Sequence, residues 1–206
     1  MDADAVEIRV LGCLIEKQRT TPDAYPLSLN ALRLACNQAT NREPVVAYEE
    51  REIKAALDRM SHRGWTRFAS GASSRALKYR HLLDEALGLS DTEISLLAVL
   101  MLRGAQTIGE LKQRSERLHR FESIADVAQT LDSLSQRDLV MRLGRRPGQK
   151  EERWQQLLGG DEVADAPAAH EEPGGDRLAS LEERLARLER SFDELLARVD
   201  KVPDRE

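Results

Sequence analysis

Aromatic residues, cysteines and long apolar runs are all scarce in this sequence. Phe, Trp and Tyr make up 4% of its 206 residues, so its cores must be built from Leu, Ala, Val and Ile. Two cysteines without a CxxC pair exclude a disulfide framework and a cysteine zinc site. No uncharged apolar run approaches 18 residues, and the acidic start MDADAVEIRV lacks the order of a signal peptide. We therefore expect a cytoplasmic protein without a membrane span.

Motifs of catalysis are missing as well. The four histidines are scattered, none is paired at i, i+4, and no HExxH, GxSxG, Walker A or GxGxxG pattern occurs. Cys13 lies on the apolar face of a predicted helix and Cys36 ends another, so both are predicted to pack in a core. We expect a protein that is not an enzyme and that has no metal, no cofactor and no small-molecule ligand.

The net charge of −5 is distributed unevenly along the chain. Residues 1–86 and 87–158 each carry a net charge of +1, whereas residues 159–206 carry −7. The acidity therefore lies in the tail, and the overall charge does not exclude an anionic partner for residues 1–158.

The tail divides into a linker and a helix. Residues 159–176 are rich in Gly, Ala, Pro and acid and hold no Lys or Arg, which predicts a flexible linker. Residues 177–202 then show apolar positions in steps of three and four, the pattern of a coiled-coil helix. The seam consists of Leu178, Leu181, Leu185, Leu188, Phe192, Leu195 and Val199.

Charges beside this seam favour one mode of pairing. Arg177 and Arg184 occupy g positions while Glu182 and Glu189 occupy e positions, so a parallel pair of helices would form Arg–Glu contacts. We expect parallel self-association. Pairing with another partner helix, or packing of this helix onto its own chain, remains the alternative.

Residues 1–158 contain an internal repeat. The pattern of residues 7–15 recurs 86 residues later, and that of residues 53–63 recurs 74 residues later. Thr21 aligns with Thr107, and each is predicted to cap the helix that follows it. The change of offset implies an insertion in the first copy, which is most economically placed at TPDAYP.

Short strand-like runs follow the third predicted helix of each copy. They lie at 65–69 and 78–82 in the first copy and at 139–143 and 153–158 in the second, with a turn-rich loop inside each pair. Three helices and a hairpin are the order of a winged helix-turn-helix. We predict a mainly α, α+β protein with two tandem winged helix-turn-helix domains, 1–86 and 87–158, then the linker and the coiled coil.

Several of these runs also resemble a known family. The segments TTPDAYPLSLNALRLACNQATNREP, SSRALKYRH, LRGAQTIGELKQRSERLHRF and RRPGQKEER are similar to those of the YceH family of bacterial proteins. The resemblance spans residues 7–158 and departs from the family pattern at Ala105 and Ile108, where Pro is usual. It implies tandem winged helices and implies no established biochemical activity.

The candidates for binding double-stranded DNA are basic residues in and before the predicted hairpins, together with polar residues of one helix. That helix is the third of the second copy, which is the recognition helix of a winged helix. Ordinary surface charge that keeps strand edges soluble is the alternative explanation. The set is Arg67, Arg75, Lys78, Arg80, Arg114, Arg117, Arg120, Gln129, Ser133, Gln136, Arg142, Arg145, Arg146 and Lys150.

The recognition helices differ in charge. The first opens with Glu49, Glu50 and Glu52, which would repel a DNA backbone, so the second, Ser123–Arg137, is the better candidate to read DNA. The function predicted is that of a DNA-associated protein dimerised by its coil. A protein-interaction adaptor that uses winged-helix surfaces without binding DNA is the alternative.

The turn CNQATNREP holds four polar side chains of undecided role. They are Asn37, Gln38, Asn41 and Arg42. They would either contact bases or a partner backbone, or cap helices and shape the turn.

Overall fold

The computed structural model describes residues 3–69, 77–145 and 151–159. These residues belong to one compact body of mixed α+β structure. In the first copy of the repeat the elements are α1 (Ala5–Thr20), β1 (Leu27–Ser28), α2 (Leu29–Cys36), α3 (Glu50–His62), β2 (Thr66–Ala69), β3 (Lys78–His81) and α4 (Leu83–Leu87). In the second copy they are α5 (Asp91–Arg103), α6 (Ile108–Ser115), α7 (Ile124–Gln136), β4 (Val140–Leu143) and β5 (Arg153–Gln156). The predicted coiled-coil seam and residues 160–176 of the predicted linker lie outside the described residues.

Reciprocal caps fix where several of these helices begin. At α1, α5, α6 and α7 a Ser, Thr or Asp side chain accepts from the backbone amide three residues on, and the acid there accepts in return. Such a capping box satisfies two amides that have no partner inside the helix. The caps Ser90 and Ser123 thus fix where α5 and α7 begin.

Corresponding helices show where the two copies differ in length. The starts of α1 and α5 are 86 residues apart, those of α2 and α6 are 79 apart, and those of α3 and α7 are 74 apart. The prediction of one insertion at TPDAYP is therefore corrected, because residues are added both before and after α2. Thr21 is the C-cap of α1, whereas α2 is capped by Ser28, the true counterpart of Thr107.

Each copy contains one small antiparallel sheet. In the first, β3 lies between β1 and β2, with Leu27 opposite Tyr79. In the second, β4 pairs with β5, and an isolated bridge joins Gln106 to Trp154. The residue before the N-cap of the second helix thus pairs with the second strand of the hairpin in both copies, an arrangement consistent with a winged helix.

Helices α1 and α5 form the centre of the core. Every residue of α1 from Glu7 to Ile15, and every residue of α5 from Glu93 to Leu102, is buried. A Cβ added at Gly12 would lie 2.8 Å from Cγ of Leu102, so glycine permits the close approach of the two helices. The first helices of both copies therefore share one apolar core.

Candidate nucleic-acid interface

The first hairpin presents its basic side chains in different environments. Arg67 on β2 is exposed and Lys78 on β3 is half-buried. The guanidinium of Arg80 lies 2.7 Å from the carboxylate of Glu85 on α4, so its charge is balanced within the protein. Arg75 lies outside the described residues. Among the described residues of this hairpin, Arg67 is therefore the cation most available to an anionic partner.

The second hairpin is more open. Arg145 is exposed just beyond β4, while Arg142 is exposed and contacts Glu152 at 3.3 Å. Exposed pairs of this kind contribute little to stability. Arg146 and Lys150 lie outside the described residues.

Helix α7 exposes a polar face that carries little positive charge. Gln129 and Gln136 are exposed and available to solvent. The Ser133 hydroxyl instead donates to Oε1 of Glu93 at 2.9 Å, so it is already engaged within the protein. Asp126 and Asp132 are also exposed on α7. Any base contact by this helix would therefore come from the two glutamines.

The segment between α6 and α7 adds cations beside an open cleft of about 650 Å³. Arg114 contacts Glu110 at 3.3 Å, whereas Arg117 and Arg120 are exposed. Arg120 lines the cleft with Lys112, Phe121 and Ile124. Glu116 and Glu122 also line the cleft, so its two cations are matched by two acids, and it adjoins the first turn of α7.

The polar turn after α2 is held by bonds inside the protein. Asn37 donates from Nδ2 to the carbonyl of Tyr48 at 2.8 Å and accepts from the amide of Tyr48 at 2.9 Å. This pair of bonds spans the turn and fixes the approach to α3. The Asn37 amide thus uses one of its donors and one of its acceptor sites on the backbone of its own chain.

Arg42 completes this clamp from a buried position. Its guanidinium donates to both oxygens of Glu16 at 3.1 and 2.6 Å, to the carbonyl of Ala35 at 3.1 Å and to Oε1 of Gln38 at 3.1 Å. Asn41 accepts from Arg103 of α5. The geometry thus favours the structural role of this turn over base contact. Glu16, whose carboxylate holds the turn, was not among the site residues predicted from the sequence.

Glu7 is a buried carboxylate that the repeat aligns with Glu93, and the sequence alone indicated no role for either residue. Glu7 of α1 accepts from Nη2 of Arg63 at 2.6 and 2.7 Å and from Nε of Arg59 at 2.9 Å. In the second copy, Glu93 of α5 lies 3.5 Å from the guanidinium of Arg137. Glu7 aligns with Glu93 and Arg63 with Arg137, so the alignment itself was the signal for this duplicated ion pair.

The surroundings of Glu93 keep it charged. Burial raises its pKa, but hydrogen bonds from Ser90 and Ser133 and the charge of Arg137 outweigh burial, and the pKa lies below its usual value. The carboxylate is therefore ionised at neutral pH and acts as a fixed anchor between α5 and α7.

The buried cysteines and the buried histidine lie in the core. Cys13 and Cys36 contact each other, and that contact together with burial raises the pKa of Cys36. Burial lowers the pKa of His81 to about 4, so its ring is neutral at pH 7. Among residues 3–69, 77–145 and 151–159, no group of three or more His, Cys, Asp or Glu side chains is placed to hold a metal ion.

None of the helices in the described part of the chain is long and apolar enough to cross a membrane.

Comparison with known proteins places this chain in a family. The family model described as "Protein of unknown function, DUF480" matches residues 3–149. A UPF0502 protein of Solibacter usitatus is 47% identical over 196 residues, which cover 93% of this chain and 95% of that protein. The UPF0502 protein GSU0233 of Geobacter sulfurreducens is 48% identical over 190 residues, 89% and 85% of the two chains.

A third relative is similar over almost its whole length. The UPF0502 protein PC1_1804 of Pectobacterium carotovorum is 43% identical over 199 residues, 93% of each chain. The protein belongs to the DUF480/UPF0502 family, which includes YceH, so the resemblance seen in the sequence is confirmed.

Proposed function

We propose that this protein is a non-enzymatic DNA-binding protein with two tandem winged-helix domains, dimerised through its C-terminal coiled coil. Support for the winged-helix assignment comes from the matching element order and from the strand pairing of Leu27 and Gln106 at equivalent positions. In such a domain the third helix enters the major groove and the hairpin contacts the backbone.

The observation that carries the proposal is a set of exposed arginines in the second copy. Arg117, Arg120 and Arg145 form no ion pair with another described residue, and all three are exposed. Phosphate contacts from such side chains supply most of the affinity for DNA and are independent of sequence. Gln129 and Gln136 on the exposed face of α7 would add preference among bases, since a Gln amide suits adenine.

The second domain is the one assigned to DNA. On α3 of the first copy, Glu49, Glu50 and Glu52 are exposed at the end that would approach DNA. Two of the arginines at its other end, Arg59 and Arg63, are held by Glu7. The first domain therefore presents an acidic helix and is the weaker partner for a polyanion.

Fluorescence anisotropy of the full chain on a mixed-sequence duplex tests the proposal. Arg120→Gln with Arg145→Gln should weaken binding alike for all sequences. It should also flatten the log–log salt dependence by about 1.8, since each lost phosphate contact removes ~0.9. Arg51→Gln on α3 is the control and should leave the slope unchanged. Absence of binding to any duplex at micromolar protein and low salt would contradict the proposal.

A protein-interaction adaptor is the second candidate, and exposed apolar side chains favour it. Phe68 on β2 is 46% exposed and Leu77 before β3 is 60% exposed, both on the first hairpin. Apolar side chains exposed close together mark protein contacts more often than DNA contacts. A chain that binds no duplex would leave this adaptor function as the better proposal.

Self-association forms a separate part of the proposal and rests on the seam Leu178–Val199. Light scattering should give the mass of a dimer for the full chain at micromolar concentration. Leu185→Asp with Leu188→Asp should give the mass of a monomer, because two buried charges cannot remain in a helical seam. Ala186→Asp, at an outward position, is the control. A monomeric parent protein would contradict this part.

A further inference from the structure

The hairpin of the second copy is followed along the chain by a stretch of opposite charge. Residues 139–158, which contain this hairpin, hold four Arg and one Lys against two Glu, a net charge of +3. The linker, residues 159–176, holds six Asp or Glu and no Lys or Arg, a net charge of −6. A cationic hairpin and a polyanion are therefore joined covalently.

Two described cations of this hairpin are accessible to a carboxylate from outside it. Arg145 is exposed and forms no ion pair with another described residue. The side chain of Arg142 is 62% exposed, so its contact with Glu152 at 3.3 Å is solvated and weak. Arg153, in contrast, is held by Glu110 at 2.9 Å. Arg142 and Arg145 are thus the cations that a further anion can approach.

The structure fixes the point at which the linker begins. The amide of Ala3 donates to the carbonyl of Leu158 at 2.9 Å, which ties the end of the second copy to the start of α1. Arg142 lies opposite Trp154 in the sheet, and Trp154 precedes Gly159 by five residues. Five residues span at most roughly 18 Å, so the linker begins within reach of the two arginines.

The length of the linker allows its last acids to reach the same arginines. Glu171 follows Gly159 by twelve residues, which span up to roughly 40 Å when extended. This reach is about twice the distance back along β5 to Trp154. The cluster of Glu171, Glu172 and Asp176 can therefore meet Arg142 and Arg145 without strain in the chain.

We propose that the linker docks through its carboxylates on Arg142 and Arg145 and competes there with any other anionic partner of the hairpin. A guanidinium offers a planar pair of donors that matches a carboxylate as it matches a phosphate. Covalent attachment gives the linker an effective concentration in the millimolar range, so weak contacts suffice to populate the docked state. Competition with DNA rests on the proposed function, whereas the docking itself does not.

A spin label on the linker tests the docking without DNA. Because Cys13 and Cys36 are buried, a maleimide label attached to the full chain with Ala168→Cys goes to the new thiol. At low salt the label should weaken the amide NMR signals of Arg142 and Arg145. The loss should be at least about twice that in a labelled chain with neutralised linker acids, since each exposed ion pair adds a fraction of a kcal/mol. The neutralising changes are Glu171→Gln, Glu172→Gln and Asp176→Asn.

Two controls separate docking from net charge and from chance encounters. A labelled chain in which three exposed acids of the first copy are neutralised should keep the signal losses of the parent. At about 1 M salt, where the Debye length is about 3 Å, all labelled chains should give the same signals. The changes in the first control are Asp23→Asn, Glu43→Gln and Glu50→Gln.

Two results of this experiment would overturn the docking. One is an equal loss of signal at Arg142 and Arg145 in the parent and in the chain with the neutralised linker at low salt. The other is a greater loss at Arg67, on the hairpin of the first copy, than at Arg145.

Anisotropy on a mixed-sequence duplex then separates the docking from the proposed function. At low salt the neutralised linker should tighten binding at least about twofold relative to the first-copy control, because an internal competitor has been weakened. Equal affinities would overturn the competition. Docking detected by the spin label in a protein that binds no duplex would support the contact between linker and hairpin while contradicting the DNA function.

Discussion

Replacing Glu7 by alanine should lower the free energy of unfolding by about 3 kcal/mol. The side chain is 1% exposed and accepts from Arg59, Arg63 and the amide of Asp4. Breaking a buried ion pair by removing one partner costs roughly 3–5 kcal/mol. Arg59 and Arg63 are partly exposed and can turn to water, which places the loss at the lower end of that range. Chemical denaturation monitored by circular dichroism measures it.

Two other acids provide matched controls for Glu7, because each occupies the same position in a capping box. Glu93→Ala should cost about 1–2 kcal/mol, since its arginine lies farther away at 3.5 Å. Glu52 of α3 is exposed and contributes only its cap, so Glu52→Ala should cost about 0.5–1 kcal/mol. Equal losses at Glu7 and Glu52 would show that the buried ion pair adds nothing to the cap.

The duplicated carboxylate explains how each copy sets the orientation of its third helix. Arg63 is the C-cap of α3 and Arg137 is the C-cap of α7, so the acid on the first helix holds the same end in both copies. In the second copy Glu93 also accepts a hydrogen bond from the hydroxyl of Ser133. Ser133 therefore orients α7, and the prediction that it contacts DNA directly has less support than that for Gln129.

Much of the fold could be predicted from the sequence because its signals are local. The predicted helix Ser123–Arg137 matches α7 with its two caps, and the predicted runs at 78–82 and 139–143 contain β3 and β4. Apolar spacing and capping residues act over a few positions, so they can be read without a structure. The strand β1 was missed because two residues are too few to show an alternating pattern.

The candidate site was harder to predict because side-chain partners are distant in sequence. Glu16 and Arg42 are 26 residues apart, and Asn41 and Arg103 are 62 apart. The residue types of the polar turn indicate hydrogen-bond donors and acceptors. Only the fold shows that the Glu16 carboxylate on α1 already accepts from the Arg42 guanidinium. The same limit applies to Arg153 of β5, whose partner Glu110 lies 43 residues away in the sequence.

Leu57→Ala and Leu131→Ala should each cost about 2–5 kcal/mol, the usual loss for a fully buried leucine. The two residues occupy matching positions on α3 and α7, and both are buried. Leu34→Ala on α2 is the control. Leu34 is 56% exposed, so its loss should stay within about 0.5 kcal/mol.

The two tryptophans allow this experiment to test each copy separately, because Trp65 lies in the first and Trp154 in the second. With Trp154→Phe as background, fluorescence reports the first copy, and with Trp65→Phe it reports the second. Since α1 and α5 share one core, Leu57→Ala should move both transitions together. If Leu57→Ala moves only the Trp65 transition, residues 1–86 and 87–158 are independent folding domains and the shared core does not couple them.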